Sequence, residues 1–301
     1  MGTSVEIQVI LDGVDRESEA DAIIDSIIVE MLRLQSIFSS VDHDSEFSRW
    51  LRDDGEIPSA ELSEVLALAK EWHRSSNGRF NPRAASLTSR WIEAERSGIP
   101  PSRHELETLA STTAELPWFR EDLTGSWRPG PRCDSTLNAI AKGWIVDAAT
   151  EFAFAHHPIR SLMINAGGDV RRHGPDPLVI GIENPFRPYD NEPPIAAVTI
   201  VDRAIATSGT ARKGFVVDGI RFGHIIDPRT GWPVENIVSI TVVAPTAAEA
   251  DVLATVLGVE PPQRALEEAE RMDLAVLIVT SDQLQLRSEA WRAMELDLNE
   301  A

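Results

Sequence analysis

The chain has 301 residues, 43% hydrophobic and 25% charged, which is the composition of a globular protein with one large domain or two ordinary ones. A net charge of −20 argues against a nucleic-acid binder, which needs a basic surface to displace phosphate counterions. The single cysteine, Cys133, excludes an internal disulfide framework and a cysteine-rich metal site, and reads as a small buried residue. No apolar run approaches the ~20 residues of a membrane span. The N-terminus has neither the basic nor the apolar region of a signal peptide, so the expectation is a cytoplasmic protein or one whose leader has been removed.

Residues 3–11 alternate as a strand, with Val5, Ile7 and Val9 on one face. A helix follows, since Ala22, Ile23, Ile27, Ile28, Met31, Leu34 and Phe38 recur at three- and four-residue steps up to Ser39-Ser40. Asp42-His43-Asp44 reads as a solvated turn, because adjacent residues rarely converge on one ion. A second helix is expected from Ser59 to Ser75 behind Pro58, stopped by Asn77-Gly78. Residues 84–92 read as helix. Residues 97–130 read as a loop-rich variable connection with a short helix near His104–Ala110.

The second half carries the chemistry. Thr136 to Asp147 leads into a helix to about Ala155, with small residues at 139, 141 and 143 that let backbone approach a ligand and a Lys142 that suits a phosphate. A buried strand, Ser161–Asn165, runs into Gly167-Gly168-Asp169, where backbone amides can face an anion. Strands are expected at Leu178–Ile182 and Ala196–Val201. Phe222, Ile225 and Ile226 read as a strand holding His224, followed by the rigid turn Asp227-Pro228-Arg229-Thr230-Gly231. A lone histidine there is either a satisfied core residue or a proton acceptor. Ser239–Ala244 reads as a strand. Thr246-Ala247-Ala248-Glu249 has capping-box spacing, so a helix starts near Ala247. On it, Asp251 and Thr255 stand one turn apart, and oxygen ligands so placed suit Mg²⁺ or Ca²⁺ better than zinc. The bland reading of Asp251 is an acid near a helix N-terminus. A last strand is expected at Leu274–Val279. There is no Rossmann fingerprint and no P-loop. The mixed element order indicates α+β rather than a parallel sheet.

Taken together, Met1-Gly2-Thr3, Gly78-Arg79-Phe80-Asn81-Pro82, Ile140-Ala141-Lys142-Gly143, Asn165-Ala166-Gly167-Gly168-Asp169, Ala206-Thr207-Ser208-Gly209, His224-Ile225-Ile226-Asp227-Pro228-Arg229-Thr230-Gly231 and the Asp251/Thr255 pair resemble the ordered motifs of the ApbE family of flavin transferases. The resemblance covers residues 1 to about 280. It implies one ApbE-like (T-fold-like) α+β domain over 1–301, with mixed and antiparallel sheets packed on helices around a flavin cleft. It also implies a Mg²⁺-dependent FAD:protein FMN transferase: FAD is cleaved, FMN is joined by a phosphoester to a Thr or Ser of a target flavoprotein carrying a D-x-x-[ST]-G-A-[ST]-like sequence, and AMP leaves. By position, Asp251, Thr255 and the Ala139 carbonyl match the metal ligands. Met1, Phe80, Asn81, Thr136, Lys142 and Ile225 fall at flavin-binding positions, with Gly168, Asp169 and Ser208 in motifs near the flavin. His224 matches the functional histidine and is the expected base, with Asp169 as the other candidate.

Four positions depart from the family's pattern. Asn81 and Thr136 stand where Asp is common, Asn138 where Gly is common, and Val41 where an aromatic often stacks on the flavin. Two other activities fit the same motifs: a Mg²⁺-dependent FAD pyrophosphatase yielding FMN and AMP, and a non-catalytic FAD-binding protein.

Overall fold

The alternation over the first strand and the three- and four-residue steps after it are realised in a computed structural model. It describes residues 3–13, 16–52, 56–122, 124–130, 135–187, 192–209 and 214–297. Met1 and Cys133 lie outside the described residues. The elements are, in order, β1 (Val5–Ile10), α1 (Glu17–Phe38), α2 (Glu46–Leu51), α3 (Ala60–Ser75), α4 (Ala84–Ser97), α5 (Arg103–Thr112), β2 (Trp118–Arg120), β3 (Trp127–Pro129) and α6 (Asn138–His156). There follow β4 (Ser161–Ala166), β5 (Asp169–His173), β6 (Leu178–Ile182), β7 (Ala196–Ile200), β8 (Ala204–Gly209), β9 (Gly214–Val217), β10 (Ile220–Gly223) and β11 (Ile237–Ala244). The chain closes with α7 (Ala247–Gly258), α8 (Pro262–Arg271), β12 (Ala275–Thr280), β13 (Gln285–Arg287) and α9 (Glu289–Arg292). Every strand pairing between these elements is antiparallel, so the class is α+β as expected.

The chain divides into two compact units: residues 1–33, 142–212 and 236–301, and residues 34–141 and 213–235. The first is built on a seven-stranded sheet in the order β1-β4-β5-β8-β11-β12-β13. β11 and β12 are buried nearly throughout rather than alternately, because both faces of the sheet are covered there. One face takes α7, whose Val252, Leu253, Ala254, Val256 and Leu257 are all buried. A helix apolar on all sides belongs in a core. The other face gathers Val243, Leu277 and Val279 with Val198 and Ile200 of β7 and Trp291 of α9.

β4 and β5 form a tight hairpin in which Ala166 pairs with Asp169. Gly167 and Gly168 make its turn at φ 63° and 99°, and positive φ at both central residues is what a type I′ two-residue hairpin loop requires. The Gly-Gly pair is therefore a turn inside the sheet, and Asp169 is the first residue of the returning strand.

The second unit packs helices and two hairpins around aromatic rings. Trp91 of α4 is fully buried, with ring centroids 6.1 Å from Phe215, 4.9 Å from Phe222 and 5.7 Å from Trp232. Trp50 of α2 stacks on Phe47 and meets Trp118 edge-on. The connection expected over 97–130 holds more structure than its composition suggests: α5 with a complete Ser102/Glu105 capping box, and the β2–β3 hairpin. The strand expected around His224 stops at Gly223, where β10 ends its pairing with β9. Beyond it, Ile226 pairs only with Pro233 as an isolated bridge.

Candidate functional site

In the first unit, the site grows from the way two helices meet. α7 begins after Thr246, whose hydroxyl accepts from Glu249 N at 3.2 Å, as the capping spacing predicts. A second cap comes from another helix. Asp147 of α6 accepts from Ala247 N at 2.8 Å through Oδ1 and from Ala248 N at 2.9 Å through Oδ2. One turn earlier on α6 stands Gly143, where an added Cβ would lie 2.5 Å from both Ala247 O and Ala248 N. Only glycine permits that approach.

The close crossing places Lys142 of α6 beside Asp251 of α7. Lys142 Nζ lies 2.5 Å from Asp169 Oδ2, on the first residue of β5, and 4.0 Å from Asp251 Oδ2. The Asp169 and Asp251 side chains are 2% and 11% exposed, so the pair of carboxyls sits almost out of water with one ammonium. Burial raises the Asp251 carboxyl well above the ordinary carboxylate range, and the charge of Asp169 raises it further. Burial also raises Asp169, against the pull of Lys142. Burial pulls the Lys142 ammonium down, but the two carboxylates more than offset it and leave it above its usual value. Asp251 Oδ2 is buried with no hydrogen-bond donor among the described residues. Thr255 follows one turn along α7 and is half-buried. Among the described residues, no three His, Cys, Asp or Glu side chains are grouped to hold a metal. A hard cation here would depend on Asp251 with hydroxyl and main-chain oxygens.

Gly168 and Ser208 also belong to this unit. Gly168 N donates to Asn165 Oδ1 at 3.0 Å, and a Cβ added at Gly168 would point into open space. Ser208 lies on β8 opposite Ile240 of β11. Beside it, the Thr207 and Thr241 hydroxyls are 2.9 Å apart.

The remaining expected site residues fall in the second unit. Val41 is 86% exposed, whereas Phe80 is 2% exposed. Phe80 is therefore shielded as a whole, side chain and backbone alike, and is not placed to stack on a ligand. Asn81 is committed at both ends: its Nδ2 donates to Thr113 O at 2.9 Å and its Oδ1 accepts from Arg83 N at 2.9 Å. Thr136 Oγ1 accepts from Asn138 N at 3.2 Å at the start of α6 and lies 3.2 Å from Ser40 Oγ. Ala139 is in the first turn of the same helix.

His224 and Ile225 are half-buried between β10 and the turn that follows. That turn is held firmly. Gly231 N donates to Asp227 O at 2.8 Å, Arg229 N to Asp227 Oδ1 at 2.9 Å, and Val234 N to Ile225 O at 2.8 Å. Trp91 Nε1 donates to Gly231 O at 2.9 Å, which ties the turn to the aromatic core. A cavity of about 740 Å³ in this unit is lined by Lys70, His73, Asn81, Ser111, Trp118 and Arg229, among others. Asn81 is the one expected site residue on its wall.

Of the two residues that shape the first-unit cluster, Asp147 escapes a sequence reading, whereas Gly143 reads there as one of the small residues that either approach a ligand or pack helices. The available signal was their spacing of four on one helix, which puts them on one face.

A family model described as the ApbE family matches residues 1–278. The FAD:protein FMN transferase of Vibrio cholerae is 31% identical over 295 residues, covering 93% of this chain and 85% of that protein. The protein of the same name from Haemophilus influenzae is 30% identical over 94% of this chain and 85% of its own length. The crystal structure of the ApbE protein of Thermotoga maritima is similar with a TM-score of 0.84 at 28% identity, covering 98% of this chain and 97% of that one. The flavin transferase ApbE of Vibrio cholerae is similar with a TM-score of 0.75 at 26% identity, covering 98% and 96% of the two chains.

Proposed function

We infer the activity from one premise, that this chain belongs to the ApbE family: it is a Mg²⁺-dependent FAD:protein FMN transferase. FAD is the substrate, its pyrophosphate is broken, FMN passes to a Thr or Ser hydroxyl of a target flavoprotein, and AMP leaves. The observation that carries this reading within the chain is the buried Lys142–Asp169–Asp251 cluster. The acceptor bears a D-x-x-[ST]-G-A-[ST]-like segment.

The residues fit a magnesium ion. Asp251 Oδ2 is a buried oxygen with no hydrogen-bond donor among the described residues, and Thr255 offers a second hard oxygen one turn along. These two side chains would hold it. When bound, the ion supplies charge neutralisation on the pyrophosphate as it opens. Asp169 holds the Lys142 ammonium at 2.5 Å and so fixes a cation that can meet a phosphate oxygen. Phosphoryl transfer asks the protein chiefly for such positioning and charge stabilisation. His224 is the base that takes the proton from the attacking hydroxyl, since a histidine is a good acceptor near neutral pH. The rigid turn from Asp227 to Gly231 keeps it from swinging away. Phe80, Asn81, Thr136, Ile225, Val41, Gly168, Ser208 and Met1 are assigned to the flavin nucleotide.

Incubation with FAD, Mg²⁺ and a flavoprotein bearing the acceptor segment tests this. The expected result is a mass gain of one FMN on the acceptor. AMP and free FMN without acceptor modification would point to the pyrophosphatase instead, and tight FAD binding with no product would sink both enzyme readings.

A further inference from the structure

We propose that Asp147 is a positioning residue for this site: through Ala247 N and Ala248 N it sets the register in which α7 presents Asp251 to Lys142 and Asp169. The inference rests on the metal-dependent transferase reading above.

The geometry is specific. Asp147 spends both carboxylate oxygens on the first-turn amides of α7, at 2.8 and 2.9 Å. Those amides have no partner within their own helix, and Thr246 already serves the third, Glu249 N. Gly143 lets the two helices come close enough for such bonds, because any Cβ would strike the Ala247–Ala248 peptide. Asp251 lies one turn beyond Ala247 on the same helix. A helix is stiff along its axis, so fixing its first turn fixes the depth at which Asp251 enters the cluster. Lys142 is the residue next to Gly143. The two bonds from Asp147 therefore join the element that carries the ammonium to the element that carries the carboxyl.

Asp147 is itself braced. Arg171 Nε lies 3.8 Å from Asp147 Oδ1, and Arg171 Nη2 donates to Asp202 Oδ1 at 3.1 Å. Asp202 also meets His173 Nδ1 at 2.5 Å. The Arg171 side chain is 12% exposed, so this bracing is mostly out of water. Arg171 and His173 are on β5, the strand that begins at Asp169. One strand thus supplies both the acid that pairs with Lys142 and the cation behind Asp147. A plain helix cap would need neither a second helix nor this support.

The test uses the full-length protein with Asp147→Asn and Asp147→Ala, and Asp147→Glu as the longer acid. Amide hydrogen exchange over residues 247–251 reads the clamp. Mn²⁺ binding, counted from the electron-paramagnetic signal of the free ion, reads the cluster, and metal-free FAD binding serves as the control. In the first two variants, exchange at Ala247 and Ala248 is expected to quicken at least tenfold and Mn²⁺ affinity to fall by roughly 10- to 100-fold, the range seen when a group orienting a metal ligand is removed. FAD affinity without metal should stay within about twofold, and the glutamate should restore part of the Mn²⁺ affinity. Unchanged exchange in the folded alanine variant overturns the proposal. So does faster exchange with wild-type Mn²⁺ affinity, since Asp147 would then be an ordinary cap. Wild-type protein that binds no Mn²⁺ and transfers no FMN overturns the transferase reading instead, and exchange at Ala247 and Ala248 still decides the clamp.

Discussion

Lys142 Nζ stands 2.5 Å from Asp169 Oδ2 and 4.0 Å from Asp251 Oδ2, so one ammonium faces two buried carboxyls. The balance of that trio shapes both stability and chemistry. One ammonium is shared by two buried carboxyls, and the upward push on Asp251 marks a site short of positive charge, which a proton, a hard cation or the positive end of a dipole would complete.

Lys142→Met removes the single compensating charge. Asp169 would then be buried at 2% exposure with no cation beside it. Removing one partner of a buried pair costs about 3–5 kcal/mol, because the other is left uncompensated. Urea unfolding at pH 8 should show a loss of that order. At pH 5 the loss should shrink, because the stranded carboxyls can take up protons. FMN transfer should fall at least 100-fold, the scale of losing one preorganised charge contact. An unfolding midpoint unchanged at pH 8 would show that the ion pair carries no weight.

Gly143→Ala and Gly168→Ala separate packing from backbone conformation. At Gly143 the new methyl would lie 2.5 Å from two backbone atoms of α7, so the helices must part. The expected cost is about 3 kcal/mol or more, the upper end for overpacking a core. At Gly168 the φ is 99° but nothing lies within 4 Å, so only backbone strain of roughly 1–2 kcal/mol applies. Thermal denaturation of the two variants should rank them in that order, and the reverse ranking would contradict the close α6–α7 contact.

Much of this fold is readable from periodicity. α1, α3 and β1 show their repeats plainly, and Thr246 announces the start of α7. The α+β class follows from the order of elements. Other features needed three-dimensional information. The run from Phe222 to Ile226 looks like one strand, yet β10 ends at Gly223, which pairs with Gly214, and Ile226 forms only an isolated bridge to Pro233. α8, Pro262–Arg271, has no counterpart in the sequence reading, although proline is well tolerated in a first helical turn. Asp169 is visible as a polar residue after two glycines, but its pairing with Lys142 depends on the β4–β5 hairpin turning it inward. Asp147 is harder still, because its partners are backbone amides at Ala247 and Ala248, which no side-chain pattern betrays.

The pH dependence of stability offers a separate check on Asp147. Burial raises its carboxyl from 3.8 to about 6; the amides of Ala248 and Ala247 and the Arg171 guanidinium pull the other way, and Glu151 adds to the rise. A raised acid binds its proton more tightly when folded. Stability from this group is therefore fully present below the unfolded value and declines as pH climbs through the folded one. Between pH 4 and 7 the wild type should lose on the order of 3 kcal/mol from this source, and Asp147→Asn should not. Chemical denaturation of both proteins across that window measures the difference. Parallel curves would mean that the carboxyl is not held in the buried, bonded state described.

In FMN transfer the phosphate bond broken in FAD is remade on a protein hydroxyl. The most direct measurement follows AMP and acceptor-bound flavin together, with FAD, Mg²⁺ and either the acceptor flavoprotein or its Thr/Ser→Ala variant. The account predicts one AMP released for each FMN attached, and flavin attachment abolished by the alanine variant. AMP released equally with both acceptors, and no flavin on either, would contradict it.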